Sequence, residues 1–204
     1  MQGKEGNKRA TFANLMVHIH PRTVPETTLR FTLTWGLGGM SLTLLFLQAV
    51  TGILLRVLYE PTPALAYDSI VVLQRDVLFG QWIRNIHYWG ANFLMIIIVL
   101  HLLRIFFTGA FHAPRQFNWI IGLILLLFVI FFNFTGYLLP WDQLSYWAVT
   151  VSIGMMEYVP VLGSWLQGVI RGGPEMGPST LLLFNTLHNA VLPFLLVLFL
   201  PLHF

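Results

Sequence analysis

The chain has 204 residues, 56% of them hydrophobic and only 9% charged, where a soluble domain carries about 25% charged residues. With a mean hydropathy of +0.73, it reads as an all-α integral membrane protein rather than a soluble enzyme. Cysteine is absent and the formal charge is +3, which excludes disulfides, cysteine-ligated iron–sulfur clusters and thioether-attached haem.

In chain order, residues 1–30 form a polar, basic segment without the apolar region of a cleavable signal peptide. Residues 10–20 are a candidate surface helix ahead of Pro21. The remainder, 31–204, reads as one four-helix domain. Four apolar stretches are long enough to span a bilayer, over about residues 31–58, 82–108, 117–139 and 180–204. The first ends before Glu60-Pro61-Thr62-Pro63 and the third stops at Pro140. Residues 142–171 are interrupted by Gly154, Pro160 and Gly163 and do not span; short amphipathic helices at the membrane surface fit them better.

Charge position predicts orientation. The N-terminal segment holds Lys4, Lys8, Arg9, Arg22 and Arg30 against Glu5 and Glu26, and the second connection holds Arg104 and Arg115 without an acid. The first loop sets Glu60, Asp68 and Asp76 against Arg75 and Arg84; the third sets Asp142, Glu157 and Glu175 against Arg171. The N-terminus therefore belongs on the cytoplasmic (n) side of a membrane, a bacterial inner membrane being the expected one, and the two long loops on the opposite (p) side. The basic excess is a topology signal, and nucleic acid is not an expected partner.

Two histidine pairs stand out. His87 and His101 are 14 residues apart in the second span, and His188 and His203 are 15 apart in the fourth. Fourteen helical residues make four turns less about 40°, so both side chains leave nearly one face, roughly 21 Å apart along the axis. Topology puts His87 beside His188 at the p side and His101 beside His203 at the n side. Two imidazoles per level suit a six-coordinate, electron-transferring haem. A bare zinc ion needs four ligands close together.

Glycines repeat the period. Gly38 and Gly52 in the first span, and Gly122 and Gly136 in the third, are again 14 apart. Any one of them suits ordinary close helix packing; two pairs at the histidine period suggest clearance for a flat haem. Arg84, three residues before His87, and Arg104, three after His101, are expected to meet haem propionates, and Arg115 joins them on the n side. His18, His20 and His112 are expected to be solvated. The glycosylation sequon at Asn133-Phe134-Thr135 lies inside a span and is discounted.

With these residues in place, the chain resembles the N-terminal, haem-carrying part of cytochrome b from bc-type quinol oxidoreductases, over about residues 20–204. Arg84-Asn85-Ile86-His87, His101-Leu102-Leu103-Arg104, the paired glycines, the run from Gly136 through Tyr137 and Pro140-Trp141-Asp142 to Gln143, and the two later histidines carry the resemblance. The 15-residue spacing and Pro-Trp-Asp-Gln look like the b6 type, in which cytochrome b is split into two chains; a kink at Pro193 is expected to absorb the extra residue.

The resemblance implies two non-covalent b-type haems, held by His87 with His188 and by His101 with His203. It implies quinol oxidation at the p side, next to Tyr137, Pro140, Trp141, Asp142 and Tyr146, quinone reduction at the n side, and a contribution to proton translocation. The implied partners are a C-terminal cytochrome b chain (subunit IV-like), a Rieske iron–sulfur protein and a c-type cytochrome, in a homodimeric complex. The b6 pattern places a cysteine before its leucine-glycine-glycine for a covalent third haem; here Gly36 stands there, so no third covalent haem is expected. The family also continues with a basic tail beyond the position of His203, so the natural chain is expected to run further. The alternative is a di-haem anchor of a quinone-linked dehydrogenase or hydrogenase.

Overall fold

The computed structural model describes residues 35–113 and 115–203. Among these the regular structure is helical: α1 (Leu37–Leu58), α2 (Ala66–Asp76), α3 (Gly80–Phe107), α4 (Gln116–Leu138), α5 (Gln143–Met155), α6 (Gly163–Arg171), α7 (Pro178–Thr186) and α8 (Leu192–His203). A π-helical turn, Leu187–Val191, joins α7 to α8. The membrane spans are Leu37–Arg56, Gly80–Phe107, Gln116–Leu138 and Pro178–His203, which bears out the four expected from sequence. The expected surface helix at 10–20, the first residues of the first span and the N-terminal basic residues lie outside the described residues.

The boundaries have local causes. Gly36, at φ 64°, opens α1 from the left-handed region that favours glycine. Extended Tyr59 and the following Pro61 and Pro63 close it. The first loop carries an 11-residue helix, α2, that the sequence reading left as loop. Gly80, which starts α3, lies against the Leu73 carbonyl of α2, where a Cβ has no room. Asp142 caps α5, its carboxylate accepting from the Ser145 amide at 2.8 Å. Pro178 sits in the first turn of α7, where its missing N–H costs nothing.

The spans pair as α1 with α3 and α4 with α8. Their outer faces are apolar and open, Phe46 and Val197 being 69% and 70% exposed, as expected of lipid-facing or partner-facing surface. The buried core gathers at the His87 end. Leu138, Val149, Ile153 and Phe184 form one cluster and Tyr59, Ala66 and Leu181 a second, with Leu139 and Trp141 touching both. The Tyr59 hydroxyl donates to the Leu139 carbonyl at 2.7 Å. Burial raises the pKa of this phenol well above its ordinary value, only partly offset by Arg56. Helices α5 and α6 are the short helices expected between the third and fourth spans.

Candidate haem-binding sites

Each histidine faces the partner that topology assigned to it. The His87 and His188 rings have centroids 6.3 Å apart with planes crossed at 71°, and the His101 and His203 rings have centroids 6.3 Å apart with planes crossed at 84°. A metal–imidazole bond of roughly 2.0–2.1 Å, plus roughly 1.2 Å from nitrogen to ring centre, puts two rings about 6.4 Å apart across one metal. Both gaps therefore admit an iron with an imidazole on either side. Among the described residues no group of three or more His, Cys, Asp or Glu is placed to hold a bare ion.

The 15-residue spacing fits because the extra residue is absorbed at His188 itself. The Leu192 amide donates to the Leu187 carbonyl, five residues back, which defines the π-turn. Pro193 follows, lacks an amide hydrogen, and would crowd the carbonyl four residues before it in regular α-helix. The sequence reading placed the adjustment in a proline kink; the structure places it in the π-turn, with Pro193 as the residue that favours it.

The four glycines leave room beside the four rings. A Cβ on Gly136 would lie 2.6 Å from His188 Cε1, one on Gly122 2.9 Å from His203 Cε1, one on Gly52 3.2 Å from His87 Cε1, and one on Gly38 3.6 Å from His101 Cε1. Each glycine sits at the level expected for it, but the space it clears is filled by an imidazole. The glycine helices α1 and α4 are the seats on which the histidine rings of α3 and α8 lie.

Three rings have their Nδ1 engaged. His87 Nδ1 lies 2.9 Å from Thr51 Oγ1, while that hydroxyl is 2.7 Å from the Leu47 carbonyl. A carbonyl only accepts, so the threonine proton goes to Leu47 and the histidine Nδ1–H donates to Thr51. Thr135 repeats this, 3.1 Å from His188 Nδ1 and 2.7 Å from the Phe131 carbonyl. His203 Nδ1 donates to the Asn118 carbonyl at 3.2 Å. Each tautomer leaves the lone pair on Nε2, the nitrogen needed for a metal. The sequence reading missed both threonines, although a Thr-Gly dipeptide recurs at one level of two helices, Thr51-Gly52 and Thr135-Gly136.

A cavity of about 270 Å³ opens between the spans at the other end, lined by Gly38, Ser41, His101, Arg115, Asn118, Gly122 and His203 among others. Two buried polar atoms nearby have no hydrogen-bond partner: Asn118 Oδ1 and, on α3, Arg104 Nε. The Arg104 guanidinium lies 5.2 Å over the Trp35 ring. Arg84 is half-buried on α3. Two imidazoles facing across a gap, an apolar cavity and the Arg115 side chain in its lining suit a flat, apolar, anionic-edged metal group.

Among the residues assigned to quinol oxidation, Asp142 is occupied as a helix cap. Trp141 adopts φ 51° and is held there by its packing on both clusters and edge-on against Tyr146. Pro140 and Tyr146 are half-buried and Tyr137 is exposed. His112 is exposed, as expected, its Nδ1 2.8 Å from the Gly109 carbonyl.

A helical bundle with four apolar spans and two facing histidine pairs has the frame of a membrane cytochrome. Comparison with known proteins narrows it. Residues 23–204 match the family model described as cytochrome b/b6/petB, and the chain belongs to that family, a membership that implies b-type haem binding. Cytochrome b6 of Synechococcus elongatus is 42% identical over 168 residues, 82% of this chain and 78% of that protein. Cytochrome b6 of Synechococcus sp. strain RCC307 is 37% identical over 198 residues, 97% of this chain and 89% of that protein. A solved structure of a hyperthermophilic respiratory complex III superposes with a TM-score of 0.79 at 27% identity, covering 98% of this chain. The chain spans about half, 53%, of the matched chain in that structure.

Proposed function

We propose that the chain is the di-haem cytochrome b component of a membrane quinol oxidoreductase, one haem held by His87 and His188 and the other by His101 and His203. The observation that carries this is the pair of crossed imidazole pairs, each at 6.3 Å, at two levels of one bundle. A bis-imidazole haem supplies one-electron transfer. The chain's own part is to hold each ring on a glycine seat, keep the lone pair on Nε2, and exclude water with an apolar surround. Arg84 at one end, and Arg104 and Arg115 at the other, are the cations we assign to the haem carboxylates.

We place the His87 end at the p side from the charge distribution of the loops. Tyr137 and Tyr146 then form part of the wall of a quinol oxidation pocket, while Pro140, Trp141 and Asp142 shape the turn that presents it. A C-terminal cytochrome b chain completes the pocket, a Rieske protein and a c-type cytochrome accept electrons, and the working complex is a dimer. The n-side quinone site lacks a covalent third haem, since Gly36 offers no thiol.

The test is spectroscopic. The complex purified from membranes should show two b-type components in a reduced-minus-oxidised spectrum. His87→Ala or His188→Ala should abolish one, and His101→Ala or His203→Ala the other. Loss of neither component in any of these variants would overturn the assignment. Purification with a dehydrogenase or hydrogenase and no Rieske protein would point to a membrane anchor instead.

A further inference from the structure

Thr51 and Thr135 occupy equivalent places on two different helices. Each precedes a glycine at the His87 level, takes the Nδ1–H of the histidine lying on that glycine, and passes its own proton to a carbonyl four residues back. Both are buried, at 5% and 2% exposure. At the His101 level, Leu37 and Ile121 precede the glycines, and His203 uses a main-chain carbonyl. One level therefore has a side-chain hydroxyl on both rings, beside the Gln48 and Phe132 carbonyls that also face them. A hydroxyl that is itself donating is polarised into a better acceptor.

We propose that Thr51 and Thr135 are paired positioning residues that set the orientation and electron donation of His87 and His188, and so tune the redox potential of the metal group at this level separately from the other. The proposal rests on the haem-ligand reading above. An acceptor on Nδ1–H pushes electron density toward Nε2 and raises ligand basicity, which favours the more positive, ferric iron. Removing the acceptor weakens that preference, so the potential rises. The two threonines act on the two rings that would hold the same iron, and their effects have the same sign.

The experiment is a redox titration of the purified complex, followed at the b-type bands, for Thr51→Val, Thr135→Val and the double variant. Each single variant should raise the potential of one component, the double variant should raise it further, and the other component should stay in place. The ferric low-spin EPR signal of the same component should move with it, because ring orientation changes. Thr51→Ser and Thr135→Ser keep the hydroxyl and should restore the parent values. Thr51→Ala and Thr135→Ala remove the hydroxyl without adding a methyl, and give the same reading if the valine variants do not accumulate. A double variant with both potentials unmoved, a downward shift, or equal movement of both components would overturn the proposal. Failure of the ligand reading looks different: two b-type components persisting in His87→Ala.

Discussion

The His87–His188 and His101–His203 levels share one geometry and differ in everything around it. Ring separation is 6.3 Å at both. At the first, the rings lie tight on Gly52 and Gly136, hydrogen-bond to buried threonines, and adjoin the clustered core and the π-turn. At the second, they border an open cavity with orphaned polar atoms close by, and only one of the two rings is tight on its glycine, His203 on Gly122, while His101 is in ordinary contact with Gly38. Ring spacing is thus set by helix periodicity, with the π-turn absorbing the extra residue between His188 and His203, while the surroundings of each level differ. The first level is built for a fixed pair of rings, and the second leaves space.

Perturbations of graded size sharpen this contrast. The largest effect is expected from the ligand substitutions described above, with haem content per protein as the measurement. Next come the glycine seats. Gly136→Ala puts a methyl 2.6 Å from His188 Cε1 and Gly38→Ala one 3.6 Å from His101 Cε1. The first should cost about 1–3 kcal/mol, the range for overpacking, and the second should be near neutral. Thermal unfolding of the haem-loaded protein should rank the alanine variants Gly136, Gly122, Gly52, Gly38 from most to least damaging; an inverted order would break the seat interpretation.

Register offers a third test. Deleting Ala190 from the π-turn should convert it to α-helix and leave both histidines of that helix in phase, so both b-type components survive. Deleting Val99 from the regular helix α3 should rotate His101 by about 100° relative to His87 and remove one component.

The smallest effect is expected at Tyr59. Tyr59→Phe leaves the Leu139 carbonyl without its donor and should lower stability by about 1 kcal/mol. The phenol's pKa is raised on folding, so its neutral form is the one favoured by the folded state. Its stabilisation is therefore fully present below the unfolded pKa of about 10 and is lost as pH rises through the folded value. Above about pH 10, part of the alkaline loss of stability should disappear in the phenylalanine variant, read as the difference between thermal midpoints.

What could be read in advance follows from period. Spans of apolar residues and the 14-residue repeats of histidine and glycine are one-dimensional patterns, and they carried the four helices, the levels and the pairing. Packing partners are not periodic. Ala66–Asp76 carries apolar residues at helical spacing, Ala66, Ile70 and Leu73, but too short a run to mark it apart from the charged loop around it, and its packing on Tyr59 and Leu181 is not written in that spacing. The 14-residue glycine period says where room is left, and not that an imidazole lies in it. The resemblance puts Asp142 next to the quinol site, and its place three residues before Ser145 is also a capping signal, which the structure uses.

The π-turn at His188 has a consequence for how such helices change. An inserted residue normally rotates everything downstream, which for a helix with a ligand at each end would disconnect one of them. Here the insertion is swallowed within one turn, as a leap day restores a calendar without shifting its seasons. Loss of one residue from Leu187–Val191 would thereby be a local event, since the turn can revert to α-helix with both histidines still in phase. A designer who wishes to lengthen a ligand-bearing membrane helix has in this turn a place to hide the extra residue.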